Sequence, residues 1–118
     1  MKILLLCLLV RTCLAGDSPF ACDRAALSPA VRKHHFDEVT PAVRKLVKSV
    51  KELPDGYAFE LPVGSLALVA EWVSNERLCC PFLDITIQVE RERGPLWLRL
   101  SGRQGTKEFI KADFARWF

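Results

Sequence analysis

The chain has 118 residues, half of them apolar and 26% charged, with 17 basic side chains, 14 acidic ones and five cysteines. That length holds one domain with a substantial core, and the composition excludes collagen-like, disordered and coiled-coil proteins. No apolar run reaches the roughly 18 residues that a membrane-spanning helix needs.

Residues 1–15, MKILLLCLLVRTCLA, combine a lysine, an apolar stretch from Ile3 to Val10 and small residues ending at Ala15. These are the three parts of a secretory signal, and they predict export to the bacterial periplasm or the extracellular space; an apolar helix docked on the domain is the alternative. Removing the leader takes away Lys2 and Arg11 and lowers the net charge from +3 to +1. That balance argues against nucleic-acid binding, which needs a basic stripe, and the mature chain is expected to carry no transmembrane span. Cys7 and Cys13 go with the leader, which leaves Cys22, Cys79 and Cys80. An odd count in an oxidising compartment leaves one thiol free, shared or metal-bound.

Residues 16–27 read as a polar lead-in and residues 28–118 as one domain. Ser28-Pro29 offers a helix start, and Thr40-Pro41 offers a second. Val39, Ala42, Val43, Leu46, Val47, Val50 and Leu53 then recur on one helical face, with Arg44, Lys45, Lys48 and Lys51 opposite. The pattern predicts either one helix over 29–53 kinked at Pro41 or two helices meeting there, ended by the Pro54-Asp55-Gly56 turn. Tyr57 to Leu61 alternates as a strand. Residues 65–78 predict a central helix, apolar nearly all round, that Pro81 halts at or just before the cysteine pair. Leu83 to Val89 and Leu96 to Leu100 alternate strictly and predict a β-hairpin across a turn containing Gly94-Pro95. Ile110, Phe114, Trp117 and Phe118 follow the spacing of a last amphipathic helix, which is expected to cover Trp97. The order α-β-α-β-β-α predicts an α+β domain, with helices on the apolar face of a three-stranded sheet.

Adjacent Cys79 and Cys80 are poor disulfide partners for each other and match neither a CxxC redox motif nor a zinc ribbon. At a helix C-terminus the backbone dipole disfavours a thiolate, whereas a soft metal ion deprotonates a thiol outright. With Cys22 and either His34 or His35, the pair makes a donor set suited to Zn(II), Cu(I) or another thiophilic ion. Alternatively Cys22 bridges to Cys79 or Cys80 as a structural disulfide, or the pair is two small buried hydrophobes. If residues 29–53 formed one straight helix of about 37 Å, Cys22 would lie at the far end from the pair. Both the metal and the disulfide readings would then require a bend at Pro41 or an arm that doubles back. Glu76 is placed to orient a ligand, although with Arg77 it also reads as a solvated helix end. No Ser-His-Asp set or phosphate loop can be assembled.

The segments Leu53-Pro-Asp-Gly-Tyr-Ala-Phe59, Asn75-Glu-Arg-Leu-Cys-Cys-Pro-Phe82, Gly94-Pro-Leu-Trp-Leu-Arg-Leu-Ser-Gly102 and Gly105-Thr-Lys-Glu-Phe109 resemble a family of small bacterial proteins of uncharacterised function. The resemblance implies Cys22, His34 or His35, Glu76, Cys79 and Cys80 as site positions, and it implies no reaction. Three function classes follow. The first is an exported, non-catalytic protein for handling or sensing a soft metal; the second is an interaction module, with a protein partner of unspecified kind, held by a structural disulfide. The third is a thiol oxidoreductase.

Overall fold

The computed structural model describes residues 16–118, and the expectations for the leader fall outside them. The first helical run starts where Ser28-Pro29 predicts. It passes without a break through α1 (Pro29–His34), a π-helical turn (His35–Val39) and α2 (Thr40–Leu46). Pro41 lacks the N–H of an ordinary helical ladder, and the π turn ends just ahead of it, so the run accommodates the proline without stopping.

The run ends at Leu46, not at Leu53. Ser49–Leu53 is strand β1, which pairs antiparallel with β2 (Gly56–Leu61) in the register Val50↔Phe59 and Lys51↔Ala58. This corrects the predicted three-stranded sheet and its element order: the sheet has four antiparallel strands, and the order is α-β-β-α-β-β-α. Val47, Val50 and Leu53 are spaced three apart, which suits a helical face. Across Ser49-Val50-Lys51, however, the side chains also alternate, and Pro54-Asp55-Gly56 is a hairpin turn rather than a helix stop. Gly56 is required there, because a Cβ would sit 1.9 Å from the Leu100 carbonyl oxygen on the neighbouring strand.

Helix α3 (Leu66–Cys79) follows a single 3-10 turn, and β3 (Asp84–Val89) with β4 (Leu96–Ser101) forms the predicted hairpin. The sheet order is β1-β2-β4-β3. Phe59, Leu61, Leu96, Leu98 and Leu100 share its covered face and are fully buried. Val69 and Trp72 of α3, Ile110 of α4 (Thr106–Asp113) and Phe114 and Trp117 just beyond it complete the core. Phe59 meets Trp117 edge-on at 5.3 Å, and Trp72 lies 5.2 Å from Trp117. The carboxy-terminal segment therefore covers the leucine face and leaves Trp97 on the opposite, open face. There the Lys51 ammonium lies over the Trp97 ring at 4.7 Å, and the indole N–H donates to Glu90 at 2.8 Å. Helix α3 is also less enclosed than predicted: Leu66 and Leu78 are exposed, while Val69, Trp72, Glu76 and Cys79 form its buried face.

Candidate functional site: a three-thiol cluster

The additional strand reverses the chain once more, so α3 runs antiparallel to the first helical run. Two contacts fix this register. The Trp72 indole N–H donates to the Thr40 hydroxyl at 3.2 Å, and His35 Nε2 meets Glu76 Oε2 at 2.6 Å. The C-terminal end of α3, carrying the cysteine pair, therefore lies beside the start of α1 and the arm before it. No bend at Pro41 is needed to bring Cys22 to the pair.

The arm is tied down by groups that the helix end needs. The last carbonyls of a helix lack intrahelical donors, and the Asp23 backbone N–H donates to the Cys79 carbonyl at 2.8 Å. Phe20 packs edge-on against Phe82 at 5.2 Å and lies under the Arg103 guanidinium at 4.1 Å. Arg103 also donates to the Ser18 carbonyl and pairs with Asp17 at 3.7 Å. Gly105 makes room for the Phe20 ring: a Cβ there would come within 2.6 Å of it, and the residue has φ +99°.

Cys22 is thus held near Cys79 and Cys80, close enough for each of their side chains to act on its thiol. All three are free thiols. Cys79 and Cys80 are completely buried, whereas Cys22 is half-buried. The Cys80 thiol donates to Glu76 Oε1 at 3.4 Å, and the other oxygen of that carboxyl receives the His35 Nε2–H. A chain of polar contacts therefore runs from His35 through Glu76 to Cys80, with Cys22 close by. The Nδ1 of His35 is buried without a partner among the described residues, so Nε2 is the ring nitrogen that engages the cluster. Phe36 and Trp72 flank the imidazole.

The electrostatics of the cluster are one-sided. Burial pushes the Cys79 thiol up to about 12, with Cys22 and Glu76 adding to the effect. Burial likewise raises Cys80, followed by Glu76 and Cys22. Cys22 is raised by burial and by Glu76, but the neighbouring Cys80 and Cys79 side chains act in the opposite direction. Asp113, at the end of α4, is raised by partial burial and by Glu76, and it also acts on Cys22 and Cys80. Asp23 acts on Cys79. The charged groups that act most strongly on the thiols are therefore all acids.

The two histidines have separate fates. His35 enters the interior and joins the cluster through Glu76. His34 is exposed, bridges Glu38 at 2.6 Å and Glu71 at 2.9 Å, and is raised by those two hydrogen bonds. Glu76, which the sequence also allows as a solvated helix end, is 3% exposed, while its neighbour Arg77 is exposed. Sequence reasoning missed Asp23 and Asp113. The first adjoins a singled-out cysteine, but the second becomes a neighbour only through the docking of α4. Among the described residues, no group of three or more His, Cys, Asp or Glu side chains is arranged to hold a metal ion as it stands, and no helix is long and apolar enough to cross a membrane.

No protein-family model, curated protein or solved structure matches the chain.

Proposed function

We propose that the protein binds a soft, thiophilic metal ion through Cys22, Cys79 and Cys80, in a handling or sensing role without catalysis. The observation that carries this reading is the meeting of three free thiols, distant in sequence, in a buried setting whose strongest charged neighbours are acids. Thiolates there are unfavourable on their own, which argues against a nucleophilic or redox cysteine. A cation reverses the balance, because coordination takes the thiol protons and the surrounding carboxylates then attract the ion. Binding requires the three sulfurs to lose their protons and draw in on the ion, to about 3.8 Å apart for metal–sulfur bonds of about 2.3 Å. Glu76 and His35 act as supports: the carboxyl holds Cys80 in place, and the imidazole holds the carboxyl. An exported, periplasmic setting would suit such a role.

Anaerobic titration of the reduced protein with Cd(II), read by thiolate-to-metal charge-transfer absorption, tests the proposal. One ion per chain is expected, with the signal reduced to that of a single thiolate in the Cys79→Ser/Cys80→Ser variant. A signal absent from the wild type, or unchanged in that variant, ends it. The same thiol contacts and the Asp23–Cys79 backbone bond support a second reading, a Cys22–Cys79 or Cys22–Cys80 disulfide stapling the arm in an interaction module. Closing so long a loop would add about 4 kcal/mol. Non-reducing peptide mapping separates the two readings, since the disulfide gives one cross-linked peptide and one free thiol.

A further inference from the structure

Resting on that reading of the site, we infer that Cys22 is the capture residue. In this scheme the ion arrives as a complex with a small thiol, through the cavity beside Cys22, and is passed inward to Cys79 and Cys80. The geometry is graded from outside to inside. Cys22 is half-buried, and the two thiols beside it are inaccessible to solvent. A cavity of about 270 Å³ adjoins Cys22, lined also by Ser18, Pro19, Ala21, Asp23 and Pro81. At about 30 Å³ per water molecule, that is the room of roughly nine waters. It accommodates the thiol end of a small carrier such as cysteine. The walls suit such a guest: Pro19, Ala21 and Pro81 give apolar contact, and the Asp23 carboxylate offers a partner to an ammonium group. Because Phe20, Arg103 and the Asp23–Cys79 bond anchor the arm, Cys22 stays within reach of both buried sulfurs while it faces the cavity.

The transfer is two ligand exchanges with no change in oxidation state. In the first, a bond forms between the metal and Cys22 Sγ while one metal–carrier bond breaks, and the Cys22 thiol proton leaves on the departing carrier thiol. In the second, Cys79 or Cys80 displaces the remaining carrier sulfur, and its thiol proton leaves in the same way; the other thiol of the pair then adds to the ion as third ligand and gives up its proton to solvent.

Stopped-flow mixing of fully reduced protein with the Hg(II) bis-cysteine complex, followed at the thiolate–metal absorption, tests the sequence of events. The Cys22→Ser variant is expected to take up the ion at least tenfold more slowly than the wild type and still to hold it at the pair. Cys79→Ser and Cys80→Ser are expected to keep the fast first phase but to surrender the ion readily to added cysteine. Ala21→Trp, which narrows the cavity without touching a thiol, is expected to slow uptake with the final stoichiometry unchanged. Circular dichroism confirms that each variant is folded. Uptake at the wild-type rate in both Cys22→Ser and Ala21→Trp overturns the capture role and leaves the binding site standing. Failure of the wild type to retain Hg(II) against excess cysteine overturns the site itself, and the capture role with it.

Discussion

Replacing His35 by alanine isolates the contact that holds the thiol cluster in shape. The imidazole is completely buried, the Glu76 residue is 3% exposed, and their polar atoms are 2.6 Å apart. Without the imidazole, Glu76 keeps only the Cys80 thiol as a donor. Removing one partner of a buried, hydrogen-bonded ionisable pair costs about 3–5 kcal/mol, and the space left between Phe36 and Trp72 adds to the loss. Against a total stability on the order of 5–15 kcal/mol, His35→Ala should lower the thermal midpoint by about 12–40 °C, at roughly 4–8 °C per kcal/mol for a domain of this size. Removing both partners, as in His35→Leu/Glu76→Leu, leaves no carboxyl without its partner and should recover about 2 kcal/mol or more over the single variant. Urea unfolding followed by circular dichroism measures both variants. A loss below about 1 kcal/mol in His35→Ala, or a double variant less stable than the single one, refutes the reasoning.

Three further outcomes are expected. Iodoacetamide labelling resolved by mass spectrometry at pH 7.5 should modify Cys22 first. Cys79, pushed up to about 12, should react far more slowly than a free cysteine and gain about tenfold per pH unit up to that range, because only the thiolate reacts; labelling of Cys79 at the rate of free cysteine contradicts this. The same shift makes stability fall in alkali. A thiol raised in the folded state stabilises the fold fully below its unfolded value near 9 and loses that contribution as pH rises toward about 12. The urea midpoint of the wild type should accordingly drop more steeply between pH 9 and pH 11 than that of Cys79→Ser, and parallel curves contradict the assignment. In the β3–β4 turn, Glu92 (φ 60°) and Arg93 (φ 56°) hold left-handed backbone without being glycine. Arg93→Gly should therefore stabilise the domain by about 0.5–1 kcal/mol, after the entropic cost of glycine is deducted; destabilisation in urea unfolding counts against that strain.

The β3–β4 hairpin and the apolar spacing of the carboxy-terminal segment were legible because each follows one periodicity for several residues, and helix α3 was legible as a long apolar run that Pro81 halts. Strand β1 was not. Val47, Val50 and Leu53 carry a helical spacing through a stretch only seven residues long, and nothing local separates that spacing from the alternation of Ser49, Val50 and Lys51. The missing strand also bore on the site. Without it, a straight first helix would leave Cys22 at the far end from the pair unless the chain bent at Pro41 or the arm doubled back, whereas β1 reverses the direction of α3 and needs neither. Within the site, Cys22, Cys79, Cys80 and Glu76 could be picked out by residue chemistry. The choice between His34 and His35 depended on which of two neighbouring side chains the π turn directs inward, and Asp113 depended on how α4 docks. Neither leaves a mark in the sequence.

The account rests on three sulfurs from two separate segments acting on one ion. X-ray absorption spectroscopy of the reduced protein, loaded with one equivalent of Cd(II), counts those sulfurs directly. Three sulfur neighbours are predicted in the wild type, falling to two in Cys22→Ser and to one in Cys79→Ser/Cys80→Ser. An ion surrounded by oxygen and nitrogen alone, or a sulfur count indifferent to the loss of Cys22, would contradict it.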